Sequence, residues 1–342
     1  METIYLKFDE LHDLVSDVLM AGGLSEKHAK AISKVVVEAE RDQCKSHGIY
    51  RITGIINTLR HGVAKGDVDP EVYSHASKAT VVVNAKGGFS PLAFEEGLEV
   101  FVEKTTKYGL AAMAIRDCVH FSALWPEVER LADKGLIALA MCPSNAYVAP
   151  FGGIRKLLGT NPLAFAWPCT GGMPYVFDFA TSVVARGEVE LYRLRNEALP
   201  DGWGIDKNGS PTNNPESVLS GALLTFGGYK GSAIATMIEL LAGVLIGDLL
   251  SIESSALDNG RLLAPRHGEL LIAIDPKIFD VDDLENHTKK LLDEFKSQGA
   301  RIPSQRRYRE RLSSLKQGIP VSYSNFEKLQ KMKLGDFEQN LF

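Results

Sequence analysis

The sequence predicts an α/β layer fold, and three observations carry that reading. Short apolar runs alternate with helical stretches through the middle of the chain. Two amphipathic helices precede that alternation, and basic helical pieces follow it. The 342 residues, 45% of them hydrophobic, suffice for two lobes or one elaborate domain at roughly 100 to 200 residues per domain.

The elements follow in order. Leu11, Leu14, Val15, Val18 and Leu19 write a first helix that stops at Gly22-Gly23. In the second, Ser25 is the N-cap, Glu26 favours the positive helix end, and Ala29, Ile32, Val36 and Ala39 share one face before Glu38, Glu40, Arg41 and Asp42 take over. The pair forms a helical hairpin. Strands are expected over 81–83, 110–115, 136–141 and 175–179, with helices over 91–108 and 125–134. Residues 199–215, carrying Asp201-Gly202 and Asn208-Gly209, read as a surface excursion. The apolar stretch 233–247 reads as a buried helix. A strand over 269–274, a helix over 281–298 and two basic helical pieces after Pro303 complete the chain.

Composition narrows the function. With 24% charged residues and a formal charge of −5, the chain has no basic field for nucleic acid. The stretch 233–247 contains Glu239 and falls short of the roughly 20 residues a bilayer requires, and residues 1–7 lack the pattern of a secretion signal. Cys44, Cys118, Cys142 and Cys169 contain no Cys-x-x-Cys pair, so neither a metal site nor a disulfide framework is expected. Reduced thiols in a cytoplasmic protein are.

Ser46-His47-Gly48-Ile49-Tyr50-Arg51 places a hydroxyl, an imidazole and a guanidinium within six residues. A guanidinium holds a carboxylate through two parallel hydrogen bonds, a histidine of pKa roughly 6.5 exchanges protons near neutrality, and Gly48 lets the backbone come close. The alternative is an ordinary polar helix end. Phe226-Gly227-Gly228-Tyr229-Lys230-Gly231-Ser232 runs into the apolar helix and would suit a phosphate, or else is a turn with a solvated lysine. The Gly-x-Gly-x-x-Gly fingerprint is absent, which disfavours a Rossmann site. His120-Phe121-Ser122-Ala123-Leu124-Trp125-Pro126, Gly159-Thr160-Asn161-Pro162 and Asp178-Phe179-Ala180-Thr181-Ser182 each sit beside an expected strand end. Asp178 within a strand is costly unless paired or hydrogen-bonded, and His120 is either structural or functional.

Together with Gly318-Ile319-Pro320-Val321, these clusters resemble the malate/L-lactate/L-sulfolactate dehydrogenase family, nicotinamide-dependent oxidoreductases without the Rossmann fold. The resemblance spans nearly the whole chain. Ala123-Leu124-Trp125-Pro126 is similar to the branch that reduces Δ1-piperideine-2-carboxylate and Δ1-pyrroline-2-carboxylate. After Arg186-Gly187, where hydroxy-acid members carry lysine and imine reductases aspartate, stands Glu188, a carboxylate with one more methylene.

The resemblance implies a three-layer α/β/α domain around a mixed, largely antiparallel sheet over 76–275, with a helical domain built from 1–75 and 276–342, in a homodimer. It implies reduction of a cyclic imino acid, with oxidation of a 2-hydroxy acid such as malate, lactate or ureidoglycolate as the alternative and a silent nucleotide-binding scaffold as a third reading. His47 would donate the proton with Ser46 and Glu188 in support, and Arg51 and Thr160 would hold the substrate. NADPH, or NADH, would lie on His120, Phe121, Ser122, Ala123, Leu124, Asp178, Thr181, Ser182, Gly227, Gly228, Lys230, Gly231 and Ser232. Arg306 and Arg307 would meet the extra phosphate, unless they are an ordinary solvated pair. No metal is required, and Trp125 would narrow the pocket toward flat rings.

Overall fold

A computed structural model describes residues 2–339 and 341. The N-terminal part comprises β1 (Thr3–Leu6), α1 (Phe8–Ala21), α2 (Glu26–Arg41) and α3 (Arg51–Arg60). Ser25 caps α2 by accepting the His28 N–H at 3.4 Å, and α1 packs along α2 as the expected hairpin. The middle runs β2 (Glu71–Ser74), β3 (Thr80–Asn84), α4 (Ser90–Tyr108), β4 (Leu110–Val119), α5 (Trp125–Asp133), β5 (Ile137–Met141), β6 (Leu163–Trp167) and β7 (Tyr175–Phe179). Next come α6 (Arg186–Arg195), β8 (Gly204–Ile205), α7 (Pro215–Ser220), β9 (Ala222–Leu223), α8 (Tyr229–Glu239), α9 (Ser251–Asp258) and β10 (Arg266–Ile274). The chain closes with α10 (Leu284–Ser297), α11 (Gln305–Gln317), β11 (Ile319–Ser322) and α12 (Tyr323–Lys333).

The central sheet has the order β2-β3-β4-β10-β5-β6-β7. Only β3 and β4 run parallel, so the sheet is mixed and largely antiparallel. On one face α4 and α5 bury Phe94, Phe101, Val128 and Leu131 against Val81, Met113, Ala138 and Leu271. On the other, α8 and its continuation bury Ile238, Ala242 and Ile246 against Ala114, Met141 and Leu270. Three layers result. Strand β6 escaped the sequence reading because Leu163-Ala164-Phe165-Ala166-Trp167 mixes small and large side chains. Ala164 and Ala166 face the α5 layer, fully buried, while Phe165 stacks on Phe177 with ring centroids 5.5 Å apart.

The two ends of the chain meet. Strand β1 pairs antiparallel with β11, and Leu11, Val15, Ile32 and Ile52 share a core with Val321, Leu329 and Met332. The reading of 233–247 as a buried helix needs correction. Helix α8 passes into a π-helical segment, Leu240–Leu245, and only one side is covered. Ala235, Ile238 and Ala242 are buried, whereas Leu240, Val244 and Leu245 are 54%, 58% and 66% exposed. With Phe151 and Tyr229 they form an apolar stripe on the surface. Residues 199–215 likewise contribute β8, which pairs with β9, so they are more than an excursion.

Candidate active site

The first half of the site is a turn held from below. Helix α2 ends at Arg41, and the chain passes through a 3-10 turn at Lys45–His47 before α3 begins at Arg51. Glu40, 1% exposed, fixes that turn: it accepts the Ile49 N–H at 3.0 Å and pairs with the Lys45 ammonium. A Cβ on Gly48 would strike the Glu40 carboxylate. The close approach that glycine permits therefore serves Glu40 rather than a ligand.

Ser46 Oγ lies 3.1 Å from His47 Nδ1, which leaves Nε2 of the half-buried ring for chemistry. Burial, reinforced by the charge of Arg51, pushes the His47 pKa down to about 3, so the imidazole is neutral at pH 7. Among the described residues Arg51 forms no ion pair with a carboxylate, and its Nε is buried without a hydrogen-bond partner. Its nearest aromatic face is Tyr50, 5.9 Å from the guanidinium carbon. Arg51 is half-buried, and a buried guanidinium N–H lacking a partner is costly. It suits an anionic ligand.

The second half comes from the sheet. Asp178 of β7 accepts the Leu124 and Trp125 N–H groups at 2.9 and 3.0 Å, capping α5 from the neighbouring strand. Burial raises its pKa to about 6 against those two donors and Arg307. His120 is 4% exposed, and its N–H reaches the Pro265 carbonyl at 3.0 Å. Its Nε2 and the Ser122 hydroxyl are buried without partners among the described residues. Phe121 packs edge-on against Phe89 in the helical core. Ala123 and Leu124 pack on the sheet core.

Three of the sequence clusters converge. Thr181 donates its N–H and hydroxyl to the Thr160 carbonyl at 2.8 and 3.0 Å, and the Phe226 N–H reaches the Thr181 carbonyl at 3.0 Å. Ser182 bridges to Thr225. Gly227 and Gly228 both adopt left-handed φ, 56° and 63°, at the start of α8. A Cβ on Gly231 would meet the Phe226 backbone and the Thr181 carbonyl. Lys230 is exposed, and the Ser232 hydroxyl accepts the Phe151 N–H at 3.1 Å.

Two readings are corrected by these contacts. Arg307 is 5% exposed and pairs with Glu129 at 2.6 Å and Asp42 at 3.4 Å, so it is committed inside the protein; Arg306 alone is exposed. Trp125 is 5% exposed beneath the Arg307 guanidinium, 4.0 Å from the ring centroid. The indole packs the core instead of narrowing an open pocket. Glu188 is half-buried in the first turn of α6, and no hydrogen bond joins it to Ser46 or His47 among the described residues.

Comparison with known proteins accounts for this arrangement. The family model described as malate/L-lactate dehydrogenase matches residues 6–330. The chain belongs to that family. This malate/L-lactate dehydrogenase family member is 48% identical over 335 residues to Δ1-pyrroline-2-carboxylate reductase 2 of Burkholderia multivorans, covering 96% of this chain and 97% of the relative. Its fold matches the crystal structure of Δ1-piperideine-2-carboxylate reductase from Pseudomonas syringae with a TM-score of 0.93 at 37% identity, over 96% of this chain and 99% of that one. It matches sulfolactate dehydrogenase from Methanocaldococcus jannaschii with a TM-score of 0.84 at 27% identity, over 99% and 98%.

In this family member the sequence reading missed the carboxylates that set the loops. Glu239 is 7% exposed. It accepts from Asn161 Nδ2 at 2.8 Å and the Ser251 N–H at 3.0 Å, and pairs with the Ser251 hydroxyl. That network pins the Gly159-Thr160-Asn161-Pro162 turn to the end of α8. A lone glutamate in an otherwise apolar run was the available signal. Glu40, Glu127 and Glu269 gave none.

Proposed function

We propose that this chain reduces the C=N bond of cyclic imino acids, Δ1-pyrroline-2-carboxylate to L-proline, Δ1-piperideine-2-carboxylate to L-pipecolate, or both, with NADPH. The observation that carries the reading is the half-buried Arg51, its Nε buried without a partner and no anion paired with it among the described residues, beside a neutral His47. The identity to a relative named for such a substrate supports it.

In this reading Arg51 holds the substrate carboxylate through paired N–H···O bonds, with Thr160 beside it. Burial still opposes protonation of His47, but the bound anion cancels the added effect of the Arg51 charge. The imidazole then takes up a proton at Nε2, with Ser46 Oγ engaging Nδ1, and Glu188 supports that exchange. The nicotinamide supplies a hydride when bound. As C2 gains that hydride, the C=N π pair becomes a nitrogen lone pair, and His47 gives its proton to the nitrogen.

The residues present fit such a cofactor. Ser122 offers a buried hydroxyl without a partner among the described residues, His120 lies two residues before it, and the Gly227-Gly228 turn with exposed Lys230 opens a helix start to phosphate. In this reading Thr181, Ser182, Gly231 and Ser232 shape that edge, Asp178 holds the Leu124-Trp125 turn, and exposed Arg306 would meet the extra phosphate. The apolar stripe of Tyr229, Leu240, Val244 and Leu245 supports a homodimer, because monomers rarely expose so continuous a patch. We place the domain boundaries at 75 and 275 and the protein in the cytoplasm.

The test is the loss of NADPH absorbance with the two imines, compared with pyruvate and oxaloacetate and repeated with NADH. Turnover of the imines with NADPH is expected. Turnover of the oxo acids alone would replace this reading with the hydroxy-acid one.

A further inference from the structure

One buried cluster plays no part in that scheme. Beside His120, Glu127 of α5 and Glu269 of β10, 3% and 0% exposed, each bring a carboxyl oxygen within 4.8 Å of the other and of a His120 ring nitrogen. His120 Nε2 lies 3.6 Å from Glu269 Oε2, and the ring stands 5.7 Å from that of His267. Both Glu269 oxygens, Glu127 Oε2 and His120 Nε2 lack any other partner among the described residues. Four such atoms at one place are unusual for a protein interior.

The surroundings offer little to balance two negative charges. Around the pair are Cys118 from β4, Cys142 beyond β5 and Asp178 from β7, with His267 of β10 against His120 and with Asp117 and Asp248 acting on Cys118. Arg130 of α5 is the cation in range, and it is ion-paired with Glu95. Two carboxylates in contact at low dielectric do not both ionise. Burial and each other's charge raise the Glu127 pKa well above the usual range, and burial raises that of Glu269. Burial, then His267, His47 and Arg51, oppose protonation of the His120 ring, so the ring is within range of the site as well as of the carboxyl pair.

We infer that Glu127 and Glu269 share one proton and, through His120, form a buried store that returns a proton to the site during turnover. This rests on the reductase reading, because imine reduction consumes one proton beyond the hydride. In the step, a carboxyl O–H bond breaks and a His120 Nε2–H bond forms as the Nδ1–H bond breaks toward the site, so the ring stays neutral, as its burial requires. The carboxyl pair gains one negative charge in that step. A proton from solvent then re-forms the Nδ1–H bond, the Nε2–H bond breaks, and its proton returns to the carboxyl pair. No electrons move in this step.

The test has two arms. Infrared difference spectra of the NADPH-bound enzyme at pH 8 should show a protonated carboxyl C=O stretch that disappears in E127Q and in E269Q, both of which keep the side-chain shape. The kcat–pH profile of E127Q for imine reduction should fall about tenfold or more and move along the pH axis, and a merely structural role would not move it. A wild-type spectrum with no protonated carboxyl would overturn the inference, as would a stoichiometric divalent metal in the same sample, held by His120, Glu127 and Glu269. A profile superposable on wild type would overturn the return of the proton. The spectroscopic arm reads the shared proton without any substrate, so failure of the reductase reading is a separate result.

Discussion

Asp178→Asn tests how the site holds its charge. Asp178 Oδ2 accepts two backbone N–H groups at 2.9 and 3.0 Å, yet burial still lifts the carboxyl from 3.8 to about 6. The folded protein therefore binds this proton more tightly than the unfolded chain does. The resulting stabilisation is complete below pH 4 and is lost as pH rises through 6. At about 1.4 kcal/mol per pH unit, the loss amounts to about 3 kcal/mol at pH 8. Asparagine keeps an acceptor for both N–H groups and carries no charge, but accepts less strongly by about 1 kcal/mol in total. The variant should then be about 2 kcal/mol more stable than the parent at pH 8 and no more stable at pH 4.5. Urea unfolding at the two pH values measures the difference. A variant destabilised at pH 8, or one with the same gap at both pH values, would refute the burial argument.

Other substitutions separate the roles of neighbouring residues. His47→Ala should lower kcat by about 10²- to 10⁴-fold while leaving NADPH affinity intact, as fluorescence titration would show. Arg51→Met should raise the imine KM strongly and raise the His47 pKa, read by NMR of the ring, because it removes the adjacent charge. Glu129→Gln breaks the buried pairs to Arg307 and Arg311 and should cost about 3 to 5 kcal/mol in a thermal or urea melt. Arg306→Ala should leave the melt unchanged and raise KM for NADPH but not for NADH.

What was legible in the sequence is what neighbours in sequence decide. Ser46, His47 and Arg51 lie within six residues of one another. Ser25 caps the helix it precedes, and strand β7 was read to the residue because Tyr175–Phe179 is a compact apolar run. What stayed hidden depends on partners far along the chain. Arg306 and Arg307 look alike in sequence, but Asp42, 265 residues away, and Glu129 draw Arg307 inside. Glu239 meets Asn161 across 78 residues. Trp125 looked like a pocket wall because nothing local shows that α11 covers it. The stretch 233–247 looked buried on all sides because hydrophobicity alone does not say that only one side meets the sheet.

The two ionisable groups at the first half of the site depend on each other, and that coupling makes the charge state of the pocket a function of its ligand. In the free protein Arg51 is charged without an anion, and His47 is neutral because burial and, after it, the adjacent positive charge oppose protonation. A carboxylate on Arg51 removes the second of these causes and leaves the first. His47 then binds a proton more readily, so ligand binding should take up protons, increasingly as pH falls. Calorimetry with pyrrole-2-carboxylate in two buffers of different ionisation enthalpy measures that uptake directly. His47→Ala should abolish it while leaving the carboxylate bound, whereas Arg51→Met should abolish binding itself. Uptake that persists in His47→Ala would move the proton to another group, and the His120 cluster would be the next to examine.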